Sequence, residues 1–430
     1  MDRRRFLGAI GAPLLTAGAM RREHELALAA LAAADRRGHA PTLDAEDEPL
    51  WGEVARAFPI DRSIVNLNSG GCSPASAMAL EAMKRHLDYC NKAPPYTLWT
   101  ELRPQRENVR VRLARAFGAD PEELAIVRNA SEGLQICQLG IDLRAGDEVL
   151  TTDQDYPRMV NTWKQRARRE GIVLRQIELP IPCEDDAEVV RRFAAAITDK
   201  TRVILISHVI NITGQILPVR AVAELARARG IPVIVDGAHS LAHFEFQLSD
   251  LGCDYFATSL HKWLAAPVGC GLLYVRREHI GKLWPMQAPP EGLDDDIRKF
   301  EEIGTHPLAN YLAIAEALTL HQTIGAARKS ARLRFLRDTW ASRALATGRA
   351  RLHTSLRPEF SCAVATLELE GIDSSTLANW LWDRHRILVA GIKHPRFQGI
   401  RVSANVFTTL DDLDLFGAAI EHAARHGLPG

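Results

Sequence analysis

The stretch DYFATSLHKWLAAPVGCGLLYV, residues 254–275, sets Lys262 between His261 and Trp263, after one short apolar run and before a second, glycine-punctuated one. Both runs have the length and composition of strands, so the lysine falls at a strand exit. Upstream the same pattern recurs in ELAIVRN, DEVLTTD, VLRQIEL, TRVILISHV and IPVIVDGA, with helix-like segments such as YPRMVNTWKQRARREG and VRAVAELARARG between them. Continuous β-branched runs alternating with helices of about 10 to 15 residues predict an α/β fold, a mostly parallel, doubly wound sheet covered on both faces.

This large domain is expected over 61–305. Beyond it, LANYLAIAEALTLHQTIG reads as a connecting helix, and SCAVATLELEG, STLANWLWDRHRILVAG, GIRVSANVF and DDLDLFGAAIEHAARHG predict a smaller α+β domain, together spanning 306–430. Residues 20–60 read as an alanine-rich helical segment followed by an acidic linker, PTLDAEDEPL. The opening MDRRRFLGAIGAPLLTAGAM joins an arginine cluster, a short apolar run and a small-residue exit, the layout of a removable export signal over 1–19. Its RRRFL core resembles a twin-arginine signal, which implies export to the periplasm, or a cytoplasmic protein if the signal is not used. A basic amphipathic helix that stays on is the alternative.

Lysine plus arginine equals aspartate plus glutamate, 53 each, so no global field points to nucleic acid or to an anionic membrane. The seven cysteines are scattered without a CxxC pair, which argues against a disulfide framework or a structural zinc site. No later stretch reaches the roughly 20 apolar residues of a membrane span, so the mature protein is expected to be soluble. A small-molecule ligand fits this balance.

Ligands of open α/β sheets sit beyond the carboxyl ends of the strands, so the residues there belong in one inventory. After ELAIV, Ala130, Ser131 and Glu132 stand at a helix start whose free N–H groups suit a phosphate. After DEVLTT comes Tyr156, and after VILISHV comes Asn211. PVIVD ends in Asp236, and DYFATSLHK in Ser259, His261 and Lys262. Each has a plain structural alternative: Ser131 as a helix cap, Tyr156 and Asn211 as turn residues, Asp236 as a cap, Lys262 as a lysine snorkelling at a strand end. As a set they meet one need, that of pyridoxal 5′-phosphate. That cofactor takes an amine for a Schiff base, a carboxylate at its ring nitrogen, an aromatic over its ring, and hydroxyls with a helix N-terminus at its phosphate.

On these motifs the chain resembles the class V aminotransferase family of fold-type I pyridoxal-phosphate enzymes, in its isopenicillin N epimerase-like branch, from about Leu67 to Phe416. The resemblance implies Lys262 as the Schiff-base lysine, Asp236 at the pyridinium nitrogen and Tyr156 stacked on the ring. Ala238 is then expected on the opposite face with His239 beside it, and Asn211 at the phenolic oxygen. The phosphate falls to the Ser131 and Glu132 backbone with the Ser259 and His261 side chains. EEIGTHP matches an element whose threonine, Thr305, reaches the phosphate of a neighbouring subunit, which implies a homodimer with shared sites. Arg401 in GIRVSANVF is placed to pair with the substrate carboxylate through a bidentate fork.

The implied activity is chemistry at the Cα of an amino acid or amino-acid derivative, by amino transfer or epimerisation, with a carbon–sulfur or other β-eliminating lyase as the alternative. Epimerisation needs a second acid on the opposite face, for which Tyr156 and His239 are candidates. Persulfide-forming desulfurase activity is disfavoured, because the loop ILVAGIKHPRFQGIRVS before the arginine holds no cysteine and Cys362 reads as core. In that loop Lys393 and His394 read as surface residues or as substrate contacts.

Overall fold

The strands, in chain order, are β1 (Val65–Asn66), β2 (Leu124–Val127), β3 (Glu148–Thr152), β4 (Val173–Ile177), β5 (Thr201–Ser207), β6 (Val233–Asp236), β7 (Tyr255–Ser259), β8 (Gly271–Val275), β9 (Ala350–Leu352), β10 (Val364–Leu369), β11 (Ile387–Leu388), β12 (Ala390–His394) and β13 (Phe397–Ser403). They come from a computed structural model that describes residues 21–38 and 40–428; the predicted export signal lies outside the described residues.

β2 to β8 form a seven-stranded sheet in the order β2-β8-β7-β6-β5-β3-β4, and only β8 runs against the others. The expected mostly parallel sheet is present, with GCGLLYV as its antiparallel member. Side chains alternate across the faces of a strand. Here Ile204, Ile206, Val233, Val235 and Phe256 therefore join one buried cluster, while Val203, Leu205, Ile234, Tyr255 and Ala257 join another on the opposite face. Because both faces are covered, the runs are apolar at successive positions instead of alternating with polar residues.

The smaller unit is an antiparallel sheet, β12-β13-β10-β9, backed by the helices Ser374–His385 and Leu410–His426. It has its own apolar cluster, which includes Leu367, Leu381, Val402, Phe416 and Ile420. The N-terminal side of the chain is stitched to it. β1 pairs in parallel with β11, and the following residues exchange backbone bonds with β13, Ser403 N–H to the Leu67 carbonyl at 2.7 Å and Ser69 N–H to the Ser403 carbonyl at 3.1 Å. Residues 65–69 thus bring the small sheet against the exits of the large one.

The acidic stretch 41–50 is ordered rather than a free linker. It forms the turn Pro41–Glu46 and the start of the helix Glu48–Arg56, capped by the Asp47 carboxylate, which accepts from Leu50 N–H at 3.1 Å. Both pack on the 20-residue helix Ala326–Leu345. Arg328 of that helix bonds Asp44 at 2.8 Å and Asp35 at 2.6 Å, and Arg332 pairs with Glu48 and lies 5.5 Å over the Trp51 ring. The acids of the stretch serve as counter-ions to buried arginines.

Candidate active site

Six of the large sheet's strands end at one edge, and a cavity of about 310 Å³ opens there. Asp236 closes β6 and Ser259 closes β7, with His261 and Lys262 in the turn that follows. Asn211 comes after β5, Tyr156 after β3, and Ala130 and Ser131 open the helix Ala130–Gly140 after β2. Arg401 enters from β13 of the small sheet. These residues line one cavity together with Ala238 and His239.

Glu132 and Thr305 are not among the lining residues. The helix is capped two residues before Ser131: Asn129 Oδ1 accepts from Glu132 N–H at 2.8 Å, and this occupies the amide expected at a phosphate. The Glu132 carboxylate folds back onto Arg128, accepting from its backbone N–H at 2.6 Å and its Nε at 2.9 Å. Thr305 is exposed beside a separate hollow lined by Trp99, Arg103 and His306. Lys393 pairs with Asp373 at 2.8 Å on the surface, and His394 meets the Asp153 carbonyl at 3.1 Å, so neither reaches the cavity.

Within the cavity, environment sets the charges. Burial pushes the Asp236 carboxyl up to about 6, against the opposing pull of the Ala238 N–H, which donates to Oδ1 at 3.0 Å, and of Lys262. Burial, then the Arg401 charge, push Lys262 down to about 8. The amine is thereby available as a base near neutral pH. Its Nζ lies 3.1 Å from His239 Nε2. Arg401 is 7% exposed, donates to the Asn211 carbonyl at 3.0 Å and to Asn68 Oδ1 at 2.8 Å, and has no acidic partner among the described residues. Burial lowers it only to about 10, so it stays charged and faces the cavity as an unneutralised cation. At the helix start, Ala130 N–H donates to Ser259 Oγ at 3.0 Å, which couples the β7 exit to the amide cluster.

Sequence reasoning passed over several residues that build this site. Asn129 is the cap, Gly70 and Gly71 form part of the wall, and Asn68 orients Arg401. A Cβ on Gly70 would stand 3.0 Å from Ser403 Oγ and 3.3 Å from His239 Cε1, so a larger residue would press on both side chains where this loop closes over the site. NSGG at 68–71 was the signal, a turn cluster directly after a short apolar run. Asp155 lies behind the wall. It accepts from Thr151 and Thr152 of β3 and from the Ser207 N–H and hydroxyl of β5, at 2.5 to 2.9 Å, and so fixes the turn that presents Tyr156.

Residues 65–416 match the family model described as Aminotransferase class-V. The chain belongs to the class V aminotransferase family. Among its relatives, the isopenicillin N epimerase of Streptomyces clavuligerus is 34% identical over 86% of this chain and 98% of that one, and the enzyme of the same name from Amycolatopsis lactamdurans is 31% identical over 87% and 99%. A solved complex between the cystine C–S lyase C-DES and its reaction product cysteine persulfide superposes with a TM-score of 0.76 at 25% identity, over 85% of this chain and 99% of that one. Pyridoxal 5′-phosphate is the cofactor of this class V enzyme. The cavity fits it on its own evidence. Besides the lysine and the carboxylate, two buried polar atoms have no partner among the described residues: Arg401 Nε, a donor that a ligand oxygen would satisfy, and Asn211 Oδ1, an acceptor that a ligand hydroxyl would satisfy.

Proposed function

We propose that this chain epimerises an amino acid or amino-acid derivative at Cα, with Lys262 as cofactor anchor and acid/base. The observation that carries the reading is the convergence in one cavity of a depressed lysine, a buried carboxylate and an unneutralised arginine. Bound there, pyridoxal phosphate supplies an electron sink that acidifies the substrate Cα–H. Asp236 holds a proton at the ring nitrogen, Asn211 bonds the phenolic oxygen, and Tyr156, more than a third exposed, offers its ring face. The Ser259 hydroxyl, His261 and the Ser131 amide would hold the phosphate, where the helix start favours an anion. Arg401 pairs with the substrate carboxylate and turns the Cα–H toward Lys262, which removes the proton. Epimerisation is favoured over amino transfer by the two relatives named isopenicillin N epimerase, each matched over nearly its whole length.

A β-eliminating carbon–sulfur lyase is the second reading, favoured by the fold match to the cystine lyase. Persulfide chemistry on a protein cysteine is disfavoured: Cys362 is buried with its thiol pushed up by burial, and the exposed Cys72, 3.8 Å from the His261 carbonyl, is also raised.

The homodimer is part of the proposal. Thr305 is exposed and near Trp99, which is 52% exposed, as a residue serving a partner's site would be. Twin-arginine export is proposed from the first residues and is checked by Arg3→Lys with Arg4→Lys, which abolishes export if the signal is used.

The deciding experiment incubates the holoenzyme with L- and D-amino acids in deuterated water. Solvent deuterium at Cα with inversion is expected; conversion to the pyridoxamine form selects amino transfer instead, and release of pyruvate and ammonia selects elimination. A visible cofactor band that persists unchanged in Lys262→Ala rejects the whole assignment.

A further inference from the structure

His239 has no role in the scheme above, although its Nε2 is 3.1 Å from the reacting amine of Lys262. The imidazole is 3% exposed, and its Nδ1 is buried without a hydrogen-bond partner among the described residues. Gly70 passes against its Cε1 edge and the Trp263 ring lies 6.5 Å away. The backbone of His239 is fixed from behind. Ala363 N–H donates to His243 Nε2 at 2.9 Å, so His243 must carry its proton on Nδ1, from which it donates to the His239 carbonyl at 2.7 Å. His243 stacks flat on Trp263, 3.7 Å between centroids, and the buried Lys329 bonds the Trp263 carbonyl. The residue after Lys262 and the residue that touches its amine are held in one frame.

We infer that His239 is a further catalytic residue, a neutral imidazole whose Nε2 accepts a hydrogen bond from Lys262 Nζ once that amine has taken the substrate's Cα proton. The inference rests on Lys262 being the acid/base of the proposed function. In that step the Cα–H bond breaks, a new N–H bond forms on Nζ, and the electron pair stays with the substrate carbon. An ammonium has no lone pair, so at 3.1 Å it meets Nε2 only as donor, and the imidazole proton stands on Nδ1. His239 gains no proton. Lys262, Arg401 and His243 face it, Asp236 lies beyond Lys262, and burial with these charges keeps the imidazole well below its ordinary range.

The test compares wild type, His239→Leu and His239→Gln as holoenzymes, reading the visible cofactor band, the rate of Cα deuterium exchange and its pH profile. All three are expected to keep the band. His239→Leu is expected to slow exchange about tenfold, the loss of one charge-assisted acceptor, and to move the acid limb down by about half a unit or more, because the ammonium is no longer favoured. His239→Gln, whose Oε1 accepts but does not titrate, is expected to recover to within about threefold of wild type. If His239→Leu does not accumulate folded, His239→Phe, which keeps the ring volume, takes its place. Exchange at the wild-type rate with an unmoved limb in the apolar variant overturns the inference, as does a Gln variant as slow as the apolar one. A band unchanged in Lys262→Ala rejects the underlying function instead, so the two failures are distinct.

Discussion

Asp236 is a carboxylate that folding makes costly before the cofactor arrives. Its folded pKa of about 6 stands above the ordinary 3.8, so the stability it contributes is complete below pH 3.8 and is lost as pH rises through 6. Two units correspond to on the order of 3 kcal/mol. Apo Asp236→Asn keeps the acceptor for Ala238 N–H and is therefore expected to melt higher than wild type at pH 7.5 and equally at about pH 4, in parallel thermal melts without cofactor. The same variant is expected to lose activity when loaded, because an amide does not hold the ring nitrogen's proton. Arg401 makes the complementary case. It is tied by one bond to Asn68 and one to the Asn211 carbonyl, which orient a planar fork that a lysine does not reproduce. Arg401→Lys is expected to raise KM for amino acids by about 10- to 100-fold, from the loss of about 1.5 to 3 kcal/mol in charge-assisted bonding, with a much smaller change in kcat. Steady-state kinetics over a substrate series checks it.

At the scale of elements, the helix Ala130–Gly140 carries the phosphate end, and its cap governs it. Asn129→Ala frees the Glu132 amide and is expected to cost about 1 kcal/mol in urea unfolding of the apo protein and to weaken cofactor retention on dialysis. Gly271 shows how close the packing is, since a Cβ there would stand 2.6 Å from the Asn129 Cα. The strands and most helices were legible because burial on both faces writes itself as uninterrupted apolar runs. The helix Ala326–Leu345 was not. Its Arg328, Arg332 and Arg337 are all buried; the first two pair with acids far away in sequence, Asp44 and Glu48, and Arg337 with the adjacent Asp338 and the Leu356 carbonyl. A buried arginine and an exposed one are the same letter, and only its counter-ions tell them apart. The cap was missed for a related reason: Asn129 and Ser131 are both good cap residues, and the choice depends on where the chain leaves β2.

For the whole molecule, residues 21–38 and 40–58 are a clamp. They cover the helix Ala326–Leu345, whose Lys329 reaches the Trp263 carbonyl directly behind the active-site lysine. A truncation beginning at residue 60 leaves Arg328 and Arg332 without their acids and is expected to lower Tm by several degrees or abolish soluble expression, read by thermal melts beside the full chain. If Thr305 serves the partner's site, co-expressed Lys262→Ala and Thr305→Ala chains are expected to form mixed dimers with one fully intact site, and so to recover activity beyond either variant alone. Equal activity of the mixture and of Thr305→Ala counts against the shared site. The sequence by itself determined the doubly wound sheet, the cofactor and the strand-exit residues Lys262, Asp236, Tyr156 and Asn211, because hydrophobic period and residue chemistry are local and survive in one dimension; Arg401, inside β13, came from the family resemblance. Tertiary structure alone decided that Asn129 caps the phosphate helix, that Glu132 turns to Arg128, that NSGG closes the wall and that His239 touches Lys262. Each of these depends on which distant backbone lies within about 3 Å, a distance set by the packing of the whole core.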